Sequence, residues 1–317
     1  MLAESFITIA ALLSVRAPEY QDPTSALAAV HRLPVAKYVV GAPVAPQRIH
    51  PENVGIDVTA RAAVVLDVAS GEVLVQKNEE TAYPIASLTK LMTAMTFLDT
   101  KPNLADQVTI LAQDDPREGR VVFPAGETFT KKEILDSLLI GSVNTAGNVI
   151  ARTTTEGGTE DFVRRMNAKA KELRLQRAIF FEPTGLNAEN KATARDVALM
   201  LQAAMTYPEI REATEKTSVT LPGRVRGKPY EISSTNLLLG SFLNKKPYHI
   251  VAAKTGSLPQ AGYCLAQVTQ YEGHEVIAVV LGSDNHFTRF QDAKSLTYWT
   301  FQNYAWPASF KAAMLPR

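Results

Sequence analysis

Hydrophobic and polar positions divide the chain into three stretches. From residue 17 to about 55, no helical or strand period survives between Pro18, Pro23, Pro34, Pro43, Pro46 and Pro51, which marks residues 17–55 as a leader or linker. Order begins near Ala62. The run AAVVLDV, the turn residues Ala69, Ser70 and Gly71, and then EVLVQ predict a β-hairpin. Apolar residues at three-and-four spacing then predict helices over 87–99, 131–140, 145–154, 159–174 and 193–205. Thr193 and Asp196 frame the start of the last of these as a capping box with Asp in place of Glu. Beyond it, VAAKTG, GYCLAQVTQ, a Glu272–Gly273 turn and EVIAVVLG predict antiparallel strands, and Phe287–Trp306 a closing helix. Strands at both ends of a helical middle predict an α/β (α+β) fold, with an antiparallel sheet built from both chain ends and covered by a helical subdomain.

Composition narrows the function classes. With 317 residues, 46% hydrophobic and 21% charged, the chain is long enough for one large domain or two small ones. A formal net charge of +1 gives no support for nucleic-acid binding or for a strongly anionic membrane partner. The single cysteine, Cys264, excludes an internal disulfide framework without excluding export. His31, His50, His249, His274 and His286 show no metal-ligand spacing, so a metalloenzyme is not expected.

Two lysines stand out against this background. The segment TAYPIASLTKLMTAMTFL holds one charge, Lys90, on a helix that is apolar on nearly every face. A buried lysine is costly unless it is paired or its proton affinity falls. Ser87 lies one turn earlier on the same face, within reach of an amine acting as general base. An N-capping serine with a snorkelling lysine would give the same pair, and on its own Ser-x-x-Lys does not decide. Lys254 is the only Lys, Arg, Asp or Glu between Lys246 and Glu272, and with Thr255 and Gly256 it offers a cation, a hydroxyl and a close backbone approach. A strand end with an exposed lysine is the plainer alternative. Ser142 and Asn144, just after ILDSLLIG, could relay a proton and hold an amide, or could simply form a polar interhelical turn. Ser283-Asp284-Asn285 spells a further Ser-x-Asn, but it follows Lys254 and is expected to be a loop between the last strand and the closing helix.

SLTK, SVN and KTG occur in that order, with 55 and 112 residues between their first positions. Together they resemble the active-site triplet of penicillin-recognising serine enzymes. AAVVLDVASGEVL, PIASLTKLMTAM, FVRRMNAKAKEL, FEPTGL, TARD, STNLLL and AGYCL extend the resemblance over roughly residues 60–306, toward the low-molecular-mass D-Ala-D-Ala carboxypeptidases, peptidase S11. The resemblance implies a β-lactamase/transpeptidase-like fold and a cofactor-free mechanism. Ser87 would attack the penultimate D-Ala carbonyl of a peptidoglycan stem peptide, and Lys90 would take its proton. Ser142 would relay that proton to the leaving D-Ala, and Asn144 would hold the substrate amide or Lys90. Lys254 and Thr255 would bind the terminal carboxylate, with Gly256 beside them. Backbone amides of Ser87 and Ser257 would form the oxyanion hole, and β-lactams would acylate the same serine.

Two residues depart from the family pattern. Thr145 stands where the family usually has Asp after Ser-x-Asn, and Ser257 where an aromatic often follows Lys-Thr-Gly. These bear on substrate choice and rate rather than on the nucleophile. The sequence runs about ten residues past Trp306, so the β-rich second domain and C-terminal amphipathic membrane helix of longer members are expected to be absent. Shorter members without that domain include D,D-endopeptidases, which are the alternative activity. A β-lactamase, with Glu182 activating the deacylating water, and a non-catalytic peptidoglycan or β-lactam binding module are further alternatives. Keeping both Ser87 and Lys90 argues for catalysis. The expected organisation is a signal or anchor segment at 1–16, the linker, a penicillin-binding peptidase domain at 56–306 and a short tail at 307–317. Phe6–Val15 has the length of a signal-peptide core but no basic residue before it, so the segment alone leaves an export signal and a fraying helix open. A wall substrate favours export to the periplasm or cell exterior, with N-terminal membrane association.

Overall fold

The computed structural model describes residues 44–117 and 123–307. Phe6–Val15, most of the linker and the tail beyond 307 lie outside the described residues. The core element is a five-stranded antiparallel sheet. Its strands are β1 (Ala62–Asp67), β2 (Val73–Lys77), β3 (Tyr248–Leu258), β4 (Gly262–Tyr271) and β5 (His274–Ser283). Their order is β3-β4-β5-β1-β2, so β5 pairs with β1 and joins the late part of the chain to the early part, with Val280 opposite Ala63. The expected antiparallel sheet from both ends is borne out, and so is the Glu272–Gly273 turn between β4 and β5.

Both faces of the sheet are covered, which is why its strands are nearly continuous apolar runs. Val64, Leu66, Ile277 and Val279 face the helical subdomain, while Ala63, Val65, Ala278 and Val280 face the closing helix. That subdomain contains α1 (Thr89–Leu98), α2 (Lys131–Ile140), α3 (Asn144–Thr154), α4 (Gly158–Glu172), α5 (Ala194–Ala204) and α6 (Pro208–Glu215). All ten residues of α1 are buried, as its all-round apolar sequence predicts. The capping box at Thr193 and Asp196 forms, and Asp196 also accepts from the Gln176 and Arg177 amides.

The structure departs from the sequence pattern at three places. A 3₁₀ turn, Ala86–Leu88, precedes α1, so Ser87 sits on a tight turn instead of the first α-helical turn. The closing helix α7 spans Thr288–Asn303, after which Tyr304–Ala305 is extended and pairs with Gln47–Arg48 inside the expected linker. Helix α6 and the hairpin Ser218–Leu221/Tyr230–Ser233 have no counterpart in the sequence reading, because both are short and mostly polar.

Candidate active site

Ser87 is presented by a turn with little freedom. Ala86 before it has φ 47°, a left-handed backbone that costs a non-glycine residue of the order of 1–3 kcal/mol. Two glycines make room for this turn. A Cβ on Gly185, itself at φ +87°, would lie 2.0 Å from the Ala86 carbonyl oxygen, and one on Gly256 would lie 3.0 Å from the Ser87 nitrogen. β3 and the 182–187 turn therefore press backbone to backbone against Ser87 and Ala86.

Lys90 is fully buried one turn further on. Its Nζ donates to Ser87 Oγ at 2.9 Å, Asn144 Oδ1 at 2.6 Å and the Thr184 carbonyl at 2.6 Å. Burial pulls its pKa down to about 7, and the negative charge of Glu182 only partly offsets that. Once neutral, the amine keeps two donors for Asn144 and Thr184 and turns its lone pair toward Ser87, the arrangement a general base requires.

Lys254 reaches the site through a defect in β3. The register slips between Ile250 and Ala252, so Ile250 and Ala253 face α7 while Val251 and Ala252 both face the helical subdomain. Two residues beyond Ala252, Lys254 falls on the subdomain side; without the bulge it would fall on the side of Ile250. Its Nζ donates to Ser142 Oγ at 2.7 Å and to the Thr255 carbonyl at 2.9 Å. Burial pushes its pKa well down, with the Lys90 and Arg289 charges adding to the effect. Here the geometry differs from the expected carboxylate clamp. Lys254 is 1% exposed and stands behind Ser142, while the Thr255 hydroxyl, bonded to that of Thr235 at 2.6 Å, lines the groove.

The groove has a volume of about 1090 Å³, and Ser87, Ser142, Asn144, Thr255, Gly256 and Ser257 all line it. Every residue singled out from the three motifs thus meets at one place. Ser142 is held at φ 57° after Gly141, where a Cβ would lie 2.2 Å from the Ile232 side chain, so the Ser-x-Asn corner lies directly on the 218–233 hairpin. Thr145 is buried on α3, away from the groove lining. Ser283 is spent on Asp292, at 2.7 Å, and Asn285 accepts from the amides that start α7, so the second Ser-x-Asn has a structural task. Among the described residues no three His, Cys, Asp or Glu side chains are grouped to hold a metal.

Other residues of the site escaped the sequence reading. Arg289 lines the groove and donates to the Gly256 carbonyl at 3.0 Å, with no local signal in its helix to announce it. Thr184 offers Lys90 a backbone carbonyl, which no side-chain pattern can reveal. Thr235 lies within STNLLL, a segment that carried the resemblance without a role attached to it.

Comparison with known proteins agrees with this geometry. The profile of the D-alanyl-D-alanine carboxypeptidase family, peptidase S11, matches residues 46–285. The chain belongs to that family. It is a serine hydrolase with the β-lactamase/transpeptidase-like fold. A D-alanyl-D-alanine endopeptidase of Pseudomonas aeruginosa is 36% identical over 266 residues, covering 82% of this chain and 84% of its own. The D-alanyl-D-alanine carboxypeptidase DacF of Bacillus subtilis is 30% identical, covering 77% and 63%. Among solved structures, the Streptomyces K15 DD-transpeptidase superposes with a TM-score of 0.73 at 25% identity, over 79% of this chain and all of its own. Penicillin-binding protein D2 of Listeria monocytogenes in its cefotaxime-bound form gives 0.68 at 29%, over 78% and 100%.

Proposed function

We propose that this chain is a serine-type D-Ala-D-Ala carboxypeptidase acting on peptidoglycan stem peptides through an acyl-enzyme on Ser87. The observation that carries the reading is the buried Lys90 amine, 2.9 Å from Ser87 Oγ with a pKa of about 7. Lys90 removes the Ser87 proton as the oxygen attacks the penultimate D-Ala carbonyl. The Ser87 and Ser257 backbone amides receive the oxyanion. Ser142, held by Lys254, passes the proton to the departing amine, and water then frees the acyl group. The leaving residue's carboxylate meets the Thr255 and Thr235 hydroxyls, with Arg289 supplying positive field behind them. β-Lactams enter the same acylation and remain bound; penicillin-binding protein D2 of Listeria monocytogenes is known in cefotaxime- and ampicillin-bound forms.

A second reading is D,D-endopeptidase activity on cross-links. It is favoured by the Pseudomonas relative and by a 30% identical Escherichia coli relative, both named D-alanyl-D-alanine endopeptidase and both matched over more than three quarters of their length. β-Lactamase action is disfavoured, because Glu182 is engaged by its own loop and does not line the groove. A wall substrate calls for export, with the N-terminal segment as signal or anchor; no described helix is long and apolar enough to cross a membrane. The test is to incubate the purified protein with monomeric pentapeptides and with cross-linked muropeptides, reading products by mass. Loss of one D-Ala from the monomer supports the carboxypeptidase, and separation of dimers supports the endopeptidase. Neither product, from protein that still binds penicillin, would sink both.

A further inference from the structure

The turn that carries the Thr184 carbonyl is organised by one carboxylate. Glu182 accepts from Thr184 N at 2.7 Å, Thr184 Oγ1 at 2.6 Å, Gly185 N at 2.5 Å, Asn187 N at 3.3 Å and Asn190 Nδ2 at 2.9 Å. Five donors occupy the four or so lone-pair positions of a carboxylate, so none remains to activate a water. The folded turn then offers two successive carbonyls to α1. Thr93 donates to Pro183 O at 2.6 Å, and Lys90 donates to Thr184 O at 2.6 Å. Asn190, fully buried, ties the turn down again through Thr89 at 3.2 Å, and its own carbonyl receives the Ile85 amide at 3.0 Å, just before Ser87.

We infer that Glu182 is a positioning residue for Lys90: it folds the 182–190 turn that brings the Thr184 carbonyl to the amine, and its charge governs when that amine releases its proton. The inference rests on the reading of Lys90 as the base. Few charges face Lys90. α1 carries no other, α3 presents the neutral Asn144, β3 brings the buried amine of Lys254, whose own pKa is pushed well down, and the 182–187 turn brings the anion Glu182. Glu182 is thus the negative partner that holds a proton on Lys90 against burial.

The sign of its effect separates this role from a merely structural one. Removing the charge makes the buried amine easier to deprotonate, whereas simply loosening the turn lets water in and makes it harder. The experiment is the pH profile of Ser87 acylation by a fluorescent penicillin, for the full chain, Glu182→Gln and Glu182→Asp, with thermal melts as a check on folding. The intact chain should show an acid limb near pH 7. Glu182→Gln should move that limb down by roughly one unit while lowering the plateau about tenfold or more. Glu182→Asp keeps the charge but not the reach, so it should lower the plateau several-fold with the limb in place, and this arm stands even if Glu182→Gln fails to fold. A limb that Glu182→Gln leaves in place or moves upward overturns the inference, as does a Glu182→Asp plateau equal to that of the intact chain. A profile of the intact chain that is flat through pH 7 overturns the Lys90 base itself and this inference with it.

Discussion

Two buried lysines meet across the groove, and their burial decides what each can do. Lys90 loses charge near neutrality and is bonded to Ser87, which fits it for the base of the proposed mechanism; Lys254 is bonded to Ser142 and would act through it. Lys90→Arg keeps a cation that cannot deprotonate, and acylation by penicillin should fall about 10²- to 10⁴-fold while the melt stays cooperative. Near-normal acylation would move the base to Ser142. Burial of Lys90 also leaves a trace in stability. The unfolded chain holds a proton on Lys90 up to the ordinary lysine value of 10.5, the folded chain only to about 7, so the unfolded state binds more protons between those values. The contribution of Lys90 to stability therefore rises with pH through that window, and below pH 7 its full penalty remains. Urea midpoints compared with Lys90→Met should show the gap narrowing from pH 7 to pH 9; a constant gap would contradict the burial argument. For Lys254, truncation to Ala should cost about tenfold or more on peptides ending in free D-Ala-D-Ala. The intact protein should cleave acid-terminated pentapeptides in preference to amide-terminated ones, and equal cleavage would show that no carboxylate is being read.

At the scale of elements, the site is made by close backbone approach. Gly185→Ala puts a Cβ 2.0 Å from the Ala86 carbonyl at a residue with φ +87°, so both melting temperature and acylation should drop. Gly240→Ala meets nothing within 4 Å and has no positive φ, so it should leave both close to their starting values. An unaltered Gly185→Ala protein would refute the packing described for the nucleophile turn. The sequence foreshadowed these elements unevenly. The hairpin at β1–β2, the apolar helix α1 and strands β3 to β5 were legible because buried strands and helices carry long periodic runs. The 3₁₀ turn at Ser87 was not, since it depends on Ala86 being forced left-handed by tertiary packing. Nor was the bulge at Ile250–Ala252, which aims Lys254 at Ser142. The residue types of the site and the pairing of Lys90 with Ser87 could be read, but that Lys254 would stand behind Ser142 depended on register and burial.

At the scale of the molecule, both ends of the described chain close on the same sheet. Gln47–Arg48 pairs with Tyr304–Ala305, Tyr304 donates to the Leu74 carbonyl at 2.6 Å, and Trp306 Nε1 donates to Asp67 at 2.7 Å. β5 alone links β4 to β1, so the groove beside β3 depends on an order that spans the chain. Reaching a wall substrate requires crossing the cytoplasmic membrane, so an export-dependent reporter fused after residue 56 should be active; activity of a cytoplasm-only reporter alone would contradict export. The most direct test of the whole account is to treat the protein with a penicillin, digest it and locate the adduct by mass. The account predicts one acyl group, on the peptide containing Ser87, absent from a folded Ser87→Ala variant. An adduct on any other residue, or one that persists in that variant, would contradict it.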